Sequence, residues 1–243
     1  MARLVRIALV WLVLIAIAAA AYLFGRDYIR RHPQDVPWTP LRLDDPIGVF
    51  TRQKLASLSD RPAQCRRILG EAGAAHVAAP PRRAGPDCGY DDGMRLVAAE
   101  GEPALAPAGV VTSCPVAAAM TILERKVIQP AARRHFGSPV TVIEHAGGYS
   151  CRRIYGRAEG RYSEHATADA FDILGFRLAD GQRVSVLRDW SSPGAKADFL
   201  RDVRDGACRL FATTLSPDYN RAHADHLHFD QAERGQFGIG VCS

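Results

Sequence analysis

Ser163-Glu164-His165-Ala166-Thr167-Ala168-Asp169-Ala170-Phe171-Asp172 sets a histidine and an aspartate seven residues apart, at the entrance to an apolar run. The small residues between them let the chain fold back, so that both side chains can reach one ion. Further on, Asp225-His226-Leu227-His228-Phe229-Asp230 alternates polar and apolar residues. On a strand, that alternation puts His226, His228 and Asp230 on one face. His165, Asp172 and His228 then offer two imidazoles and one carboxylate. Zinc takes such donors at about 2.0–2.2 Å and keeps a fourth position open for water in catalytic sites. Asp225 and His226 stand close enough in sequence to His228 to take a proton from such a water or to steady an oxyanion. On spacing alone, a His-x-His on a strand is also the mark of a half-buried pair with no metal.

The elements around these two stretches are read from period and punctuation. Ala170–Leu178 and Gln182–Leu187 flank Asp180-Gly181, a hairpin signal. Val140–Glu144 is β-branched and reads as a buried strand. Met94–Ala98, Cys208–Leu215 and His226–Asp230 complete the strands. Ser113–Pro130 reads as a helix capped by Ser113 or Cys114, with Pro115 in its first turn and Pro130 ending or kinking it. Ala195–Arg204 is a second helix, and Gln64–Glu71 is a helical turn or a short strand. Ala78–Cys88 carries three prolines and reads as loop. Helices mixed with hairpins predict an α+β fold, an antiparallel sheet with flanking helices.

The N-terminus is different in kind. Arg3 and Arg6 precede eighteen uncharged, mostly apolar residues, 7–24, and Arg26, Arg30 and Arg31 follow. As a helix this run extends about 27 Å, close to the hydrocarbon thickness of a bilayer. It is longer than the apolar core of a cleavable signal, although Ala18–Ala21 could present a cleavage site. Residues 1–25 therefore read as a transmembrane signal-anchor in the inner membrane. Residues 26–60, punctuated by Pro33, Pro37, Pro40 and Pro46, read as a spacer, and 61–243 as the folded domain.

The six cysteines, Cys65, Cys88, Cys114, Cys151, Cys208 and Cys242, form no CxxC pair. An even number behind an export segment reads as disulfides in an oxidising compartment, which places the domain in the periplasm. Closing the shortest loops pairs Cys65 with Cys88, Cys114 with Cys151 and Cys208 with Cys242. The net charge of +5 in 243 residues is mild and scattered, so a nucleic-acid partner is not expected. On spacing alone Arg152 and Arg153 read as solvated charges, His135, His145 and His223 as surface or satisfied histidines, and Tyr149 as a core or turn aromatic.

Ser163-x-His165-x-x-Ala168-x-Ala170-x-Asp172 resembles the S-x-H-x-x-G-x-A-x-D motif of the zinc D-Ala-D-Ala carboxypeptidases and related peptidoglycan endopeptidases, whose fold hedgehog N-terminal domains share. Asp225-His226-x-His228 resembles their closing segment. Together with Ser113-Cys114-Pro115 and Tyr149-Ser150-Cys151-Arg152, these stretches are similar to the bacterial extensin-like C-terminal domain family over roughly 61–243. The resemblance implies a zinc-peptidase fold acting on peptidoglycan, with zinc held by His165, Asp172 and His228. It implies Asp225 as general base, His226 as transition-state stabiliser or alternative base, and Arg152 as the group that binds a substrate carboxylate or polarises its carbonyl. Ala168 departs from the glycine of the motif, and Ser150-Cys151 is an addition to the arginine turn. A zinc-containing wall-binding or protein-interaction module without catalysis is the alternative reading.

Overall fold

The structure is a computed structural model that describes residues 1–232 and 240–243. The chain opens with α1 (Ala2–Arg31), which buries none of its residues and has a mean hydropathy of 2.7 over its most apolar 18 residues. By length and composition it can cross a membrane. α2 (Thr51–Ala56) and α3 (Pro62–Glu71) follow, then the short strands β1 (His76–Ala78), β2 (Arg82–Arg83), β3 (Gly89–Tyr90), β4 (Met94–Leu96), β5 (Ala104–Ala106) and β6 (Val111–Thr112). α4 (Cys114–Leu123) and α5 (Gln129–Phe136) are joined by a π-helical turn, Glu124–Ile128. The chain closes with β7 (Val140–Gly147), β8 (Ala170–Leu178), β9 (Arg183–Ser185), α6 (Val186–Asp189), α7 (Ala195–Cys208), β10 (Thr213–Leu215), β11 (Leu227–Asp230) and β12 (Val241–Cys242).

The fold is mixed α+β. The main sheet runs β12-β10-β11-β8-β7-β5, with β9 paired onto β8 at Gly175–Arg177, beyond the stretch Ala170–Ile173 that pairs with β11. It is antiparallel in its middle, while the edge pairs β5–β7 and β10–β12 are parallel. β8 is the central strand, and eight of its nine positions are buried or half-buried. A strand covered on both sides reads as a nearly continuous apolar run, and Phe171, Ile173 and Phe176 are fully buried in it. A polar side chain on this strand is therefore dry unless something holds it, and Asp172 is the one carboxylate there.

α4 is apolar all round because it lies inside the protein. Cys114–Met120, Ile122 and Leu123 are all buried, against α3 and α7 among others. Ser113 caps it, with its side chain accepting the Val116 N–H, and Pro115 occupies its first turn. Of the two expectations at Pro130, an end or a kink, the end needs correction. Helical structure continues past Pro130 to Phe136, because the π turn just before it takes up the irregularity that proline imposes.

Further expectations change. Cys65 pairs with Cys114 and Cys88 with Cys151, not with their nearest neighbours in sequence; only Cys208–Cys242 is as expected. Loop-closure cost grows only slowly with loop length, so a preference for short loops is weak beside the geometry that α3, α4 and the hairpins impose. Residues 26–60 are also not merely a spacer. Leu41, Leu43, Leu55 and Leu58 belong to the same buried cluster as Cys65, Leu69 and Leu123. The Lys54 ammonium donates to the Pro33 carbonyl and the Thr39 hydroxyl, tying this segment together. Gln64–Glu71 lies within helix α3, and the Ala78–Cys88 loop contains the two-residue strand β2. Cys208, read as the start of a strand, ends helix α7 instead.

Candidate metal centre and its cleft

The register of the sheet brings the two motifs together. On β8 and β11, Asp172 and His228 are direct cross-strand partners. His165 arrives from a short 3₁₀ turn, Glu164–Thr167, which starts at Ser163 and ends at Ala168 in the left-handed region at φ 61°. That reversal turns the chain into β8 and aims His165 back at Asp172. One donor atom each from His165, Asp172 and His228 lie within 4.8 Å of one another, and all three residues are buried.

The polar partners orient each donor. The His165 Nδ1–H donates to the Gly148 carbonyl at 2.6 Å, which leaves Nε2 bearing a lone pair. That nitrogen has no hydrogen-bond partner among the described residues, although Asp172 Oδ2 lies 3.0 Å away. A buried lone pair beside a carboxylate oxygen is unfavourable unless a proton or a metal cation lies between them. His228 turns Nδ1 toward Asp172 Oδ1 at 2.8 Å and Nε2 toward Asp230 Oδ2 at 3.1 Å. A metal on Nδ1 would thus find the other ring nitrogen already anchored to a carboxylate, the usual support of a metal-binding histidine. Burial opposes charge on His228, but its bonds to Asp172 and Asp230 outweigh burial and raise its pKa to about 9. Burial likewise raises the Asp172 pKa, and the imidazoles of His165 and His228 beside it reverse this and hold it well below the carboxylate range. The three donors are thus held in place by their polar partners, and their set fits zinc.

Gly148 shows why the backbone must come close. A side-chain carbon there would meet the Val111 carbonyl oxygen at 2.2 Å, so only glycine lets this turn lie against β6 and present its carbonyl to His165. Ser113 fastens the other side of the loop. Its N–H donates to the Ala168 carbonyl at 2.7 Å and its hydroxyl to Asp169 Oδ1 at 2.6 Å.

The three donors open onto a cavity of about 450 Å³. His226 lines it, with Nε2 3.8 Å from Asp172 Oδ1. Asp225 does not line it. Its side chain is 58% exposed and reaches the site only through a 2.8 Å hydrogen bond to His226 Nδ1. Arg152 is exposed at the cavity wall, beside Arg153 and Arg161.

His223, expected as a surface or satisfied histidine, is a satisfied one, but its place beside the centre was not expected. It is buried, its ring centroid is 5.1 Å from that of His226 and 5.8 Å from that of His228, and its Nδ1 bonds to Asn220 Oδ1 at 2.9 Å. Burial first, then the neighbouring His226 and His228, lower its pKa to about 4, so it stands neutral beside the centre. Asn220 also donates to the Tyr155 hydroxyl at 3.0 Å, which links the two loops that face the cavity. The signal for this was Asn220, a turn-capping residue three positions before a histidine.

With this geometry, the chain belongs to the extensin-like family. The family described as "Extensin-like protein C-terminus" matches residues 63–243. No curated protein and no solved structure matches the chain.

Proposed function

We propose that this protein is a zinc-dependent peptidase that hydrolyses amide bonds in the stem peptides or cross-links of peptidoglycan. In this reading α1 anchors it in the inner membrane and the domain stands in the periplasm, with a zinc D-Ala-D-Ala-peptidase-like fold. The observation that carries it is the unpartnered His165 Nε2, aimed with Asp172 and the Nδ1 edge of His228 at one buried point. Three closed disulfides and no free cysteine support an oxidising compartment.

His165, Asp172 and His228 would hold the metal. Zinc in such a site supplies Lewis acidity and makes a water acidic enough to act as nucleophile near neutrality. His226, whose Nε2 lies 3.8 Å from Asp172 Oδ1, would take the proton and return it to the leaving amine. Asp225 accepts the His226 Nδ1–H at 2.8 Å and so fixes the tautomer in which Nε2 is the base. Of the two bases the resemblance implied, Asp225 and alternatively His226, this reading takes the second. Arg152, exposed on the cleft wall, is free to meet a carboxylate or polarise a carbonyl.

The test is digestion of purified peptidoglycan by the metal-analysed protein, with and without a chelator. About one zinc per chain and chelator-sensitive release of peptides are expected. His226→Ala should lower turnover by about 10²–10⁴-fold with zinc retained, and Asp225→Asn by the smaller factor of about 10–100 typical of an orienting partner. Zinc bound with no cleavage, but with retention of wall fragments, would establish the non-catalytic module instead.

A further inference from the structure

A second cavity, of about 570 Å³, adjoins the metal cleft and shares Arg153, Arg161, Ser163 and Glu164 with it. Its far side is the β2–β3 hairpin with Arg82 and Arg83. Four arginines thus face three carboxylates, Asp87, Asp91 and Glu164, and the lining stays positive. Two of the arginines are engaged with these acids. Arg83 grips Asp91 with contacts of 2.8 and 3.0 Å, and Arg161 lies 3.9 Å from Glu164. Arg82 and Arg153 make no ion pair among the described residues. Each lies over an aromatic ring instead, Arg82 4.8 Å from the centre of Tyr149 and Arg153 4.4 Å from that of Tyr162. A stacked guanidinium keeps the N–H edges of its plane for a planar acceptor, and the fork matches a carboxylate.

The walls are held in place. The Cys88–Cys151 disulfide joins the segment beside β3 to the arginine turn, and Tyr90 meets Tyr149 edge-to-face at 5.4 Å. Arg153 hydrogen-bonds the Gly160 carbonyl and pairs with Tyr162 across the loop, so the boundary between the two cavities is a short hairpin.

We propose that this cavity is a second subsite of the same cleft, and that Arg82 and Arg153 bind there a carboxylate of the substrate distant from the scissile bond. The substrate is then an acidic peptide that crosses the Arg153–Ser163 wall, with one end at the metal centre and an anionic branch beyond it. The proposal rests on the peptidase reading of the metal cleft, but its test needs neither zinc nor turnover.

The full-length protein in detergent, stripped of metal with a chelator, is titrated calorimetrically with a tetrapeptide of stem-peptide composition carrying its free carboxylates. The same peptide with its internal carboxylates amidated is the comparison. The acidic peptide should bind about tenfold or more tightly, as expected for a charge-assisted contact. Arg82→Gln and Arg153→Gln should each shrink that ratio, and the double variant should abolish it. Both side chains lie at the surface, Arg82 exposed and Arg153 half-exposed, so the variants should fold, which retention of the three disulfides checks. Equal affinity for the two peptides, no binding of either, a ratio that survives the double variant, or displacement by inorganic phosphate at equal concentration would each overturn the subsite. Binding that discriminates, in a protein that never cleaves, would leave the subsite standing and remove only the hydrolytic reading.

Discussion

Ala168 sits where the resembling motif has glycine, and the structure gives the reason glycine suits it. Its φ is 61°, a conformation that costs residues with a Cβ about 1–2 kcal/mol. Ala168 is also completely buried, so its methyl group recovers part of that cost by packing. Ala168→Gly should therefore change stability by less than about 1 kcal/mol and keep zinc content. Ala168→Val, β-branched in a left-handed and closed position, should lose more than about 2 kcal/mol in urea unfolding and lower metal occupancy. Its neighbour Asp169 carries a pH signature. Burial, only partly offset by the Ser113 hydroxyl, pushes its pKa up to about 8, against an ordinary value of 3.8. The folded state thus holds this proton more tightly than the unfolded chain does. That contribution is fully present below about pH 4 and is lost as pH rises through about 8. The urea midpoint should fall between pH 5 and pH 8.5 in the wild type, and Asp169→Asn should flatten this slope. An unchanged slope in the variant would assign the effect to another group.

At the level of elements, each motif acts through a pairing that its own sequence does not contain. His228 meets Asp172 because β11 lies beside β8, and His165 is oriented by a carbonyl from the turn after β7. The hairpin at Asp180-Gly181, the β7 and β8 strands and the α7 helix were legible because period and turn residues are local signals. The helix beginning at Ser113 was legible at its start, where a cap and a proline mark it, and misread at Pro130, where a π turn carries no such mark. The Cys88–Cys151 bridge spans 63 residues and joins two loops that carry the arginines. Replacing both cysteines by alanine should cost about 2–4 kcal/mol through a freer unfolded chain. Under the proposed peptidase reading it should also raise KM more than it lowers kcat, because Arg152 and Arg153 follow Cys151 directly.

Over the whole molecule, the chain divides by burial rather than by proline content. α1 buries none of its residues, whereas the leucines of 41–58 close one side of the core. Removal of residues 2–31 should leave a folded, detergent-independent domain. Removal of 2–60 should not, since it strips four buried leucines from the cluster. Leu55 is completely buried, and Leu55→Ala alone should cost about 2–5 kcal/mol in the shorter domain. Normal stability in that variant would restore the view of this segment as a passive spacer.

The sequence by itself determined the ligand-type residues, the apolar N-terminal helix, the mixed α+β class and an even set of cysteines. These depend on side-chain chemistry and on patterns within a few turns or strands. The tertiary structure alone decided which cysteines meet and that His226 rather than Asp225 faces the centre. It also decided that His223 is buried beside the centre and that residues 41–58 belong to the core. Each of these depends on distances between segments far apart in the chain, which register and packing set and which no local pattern encodes.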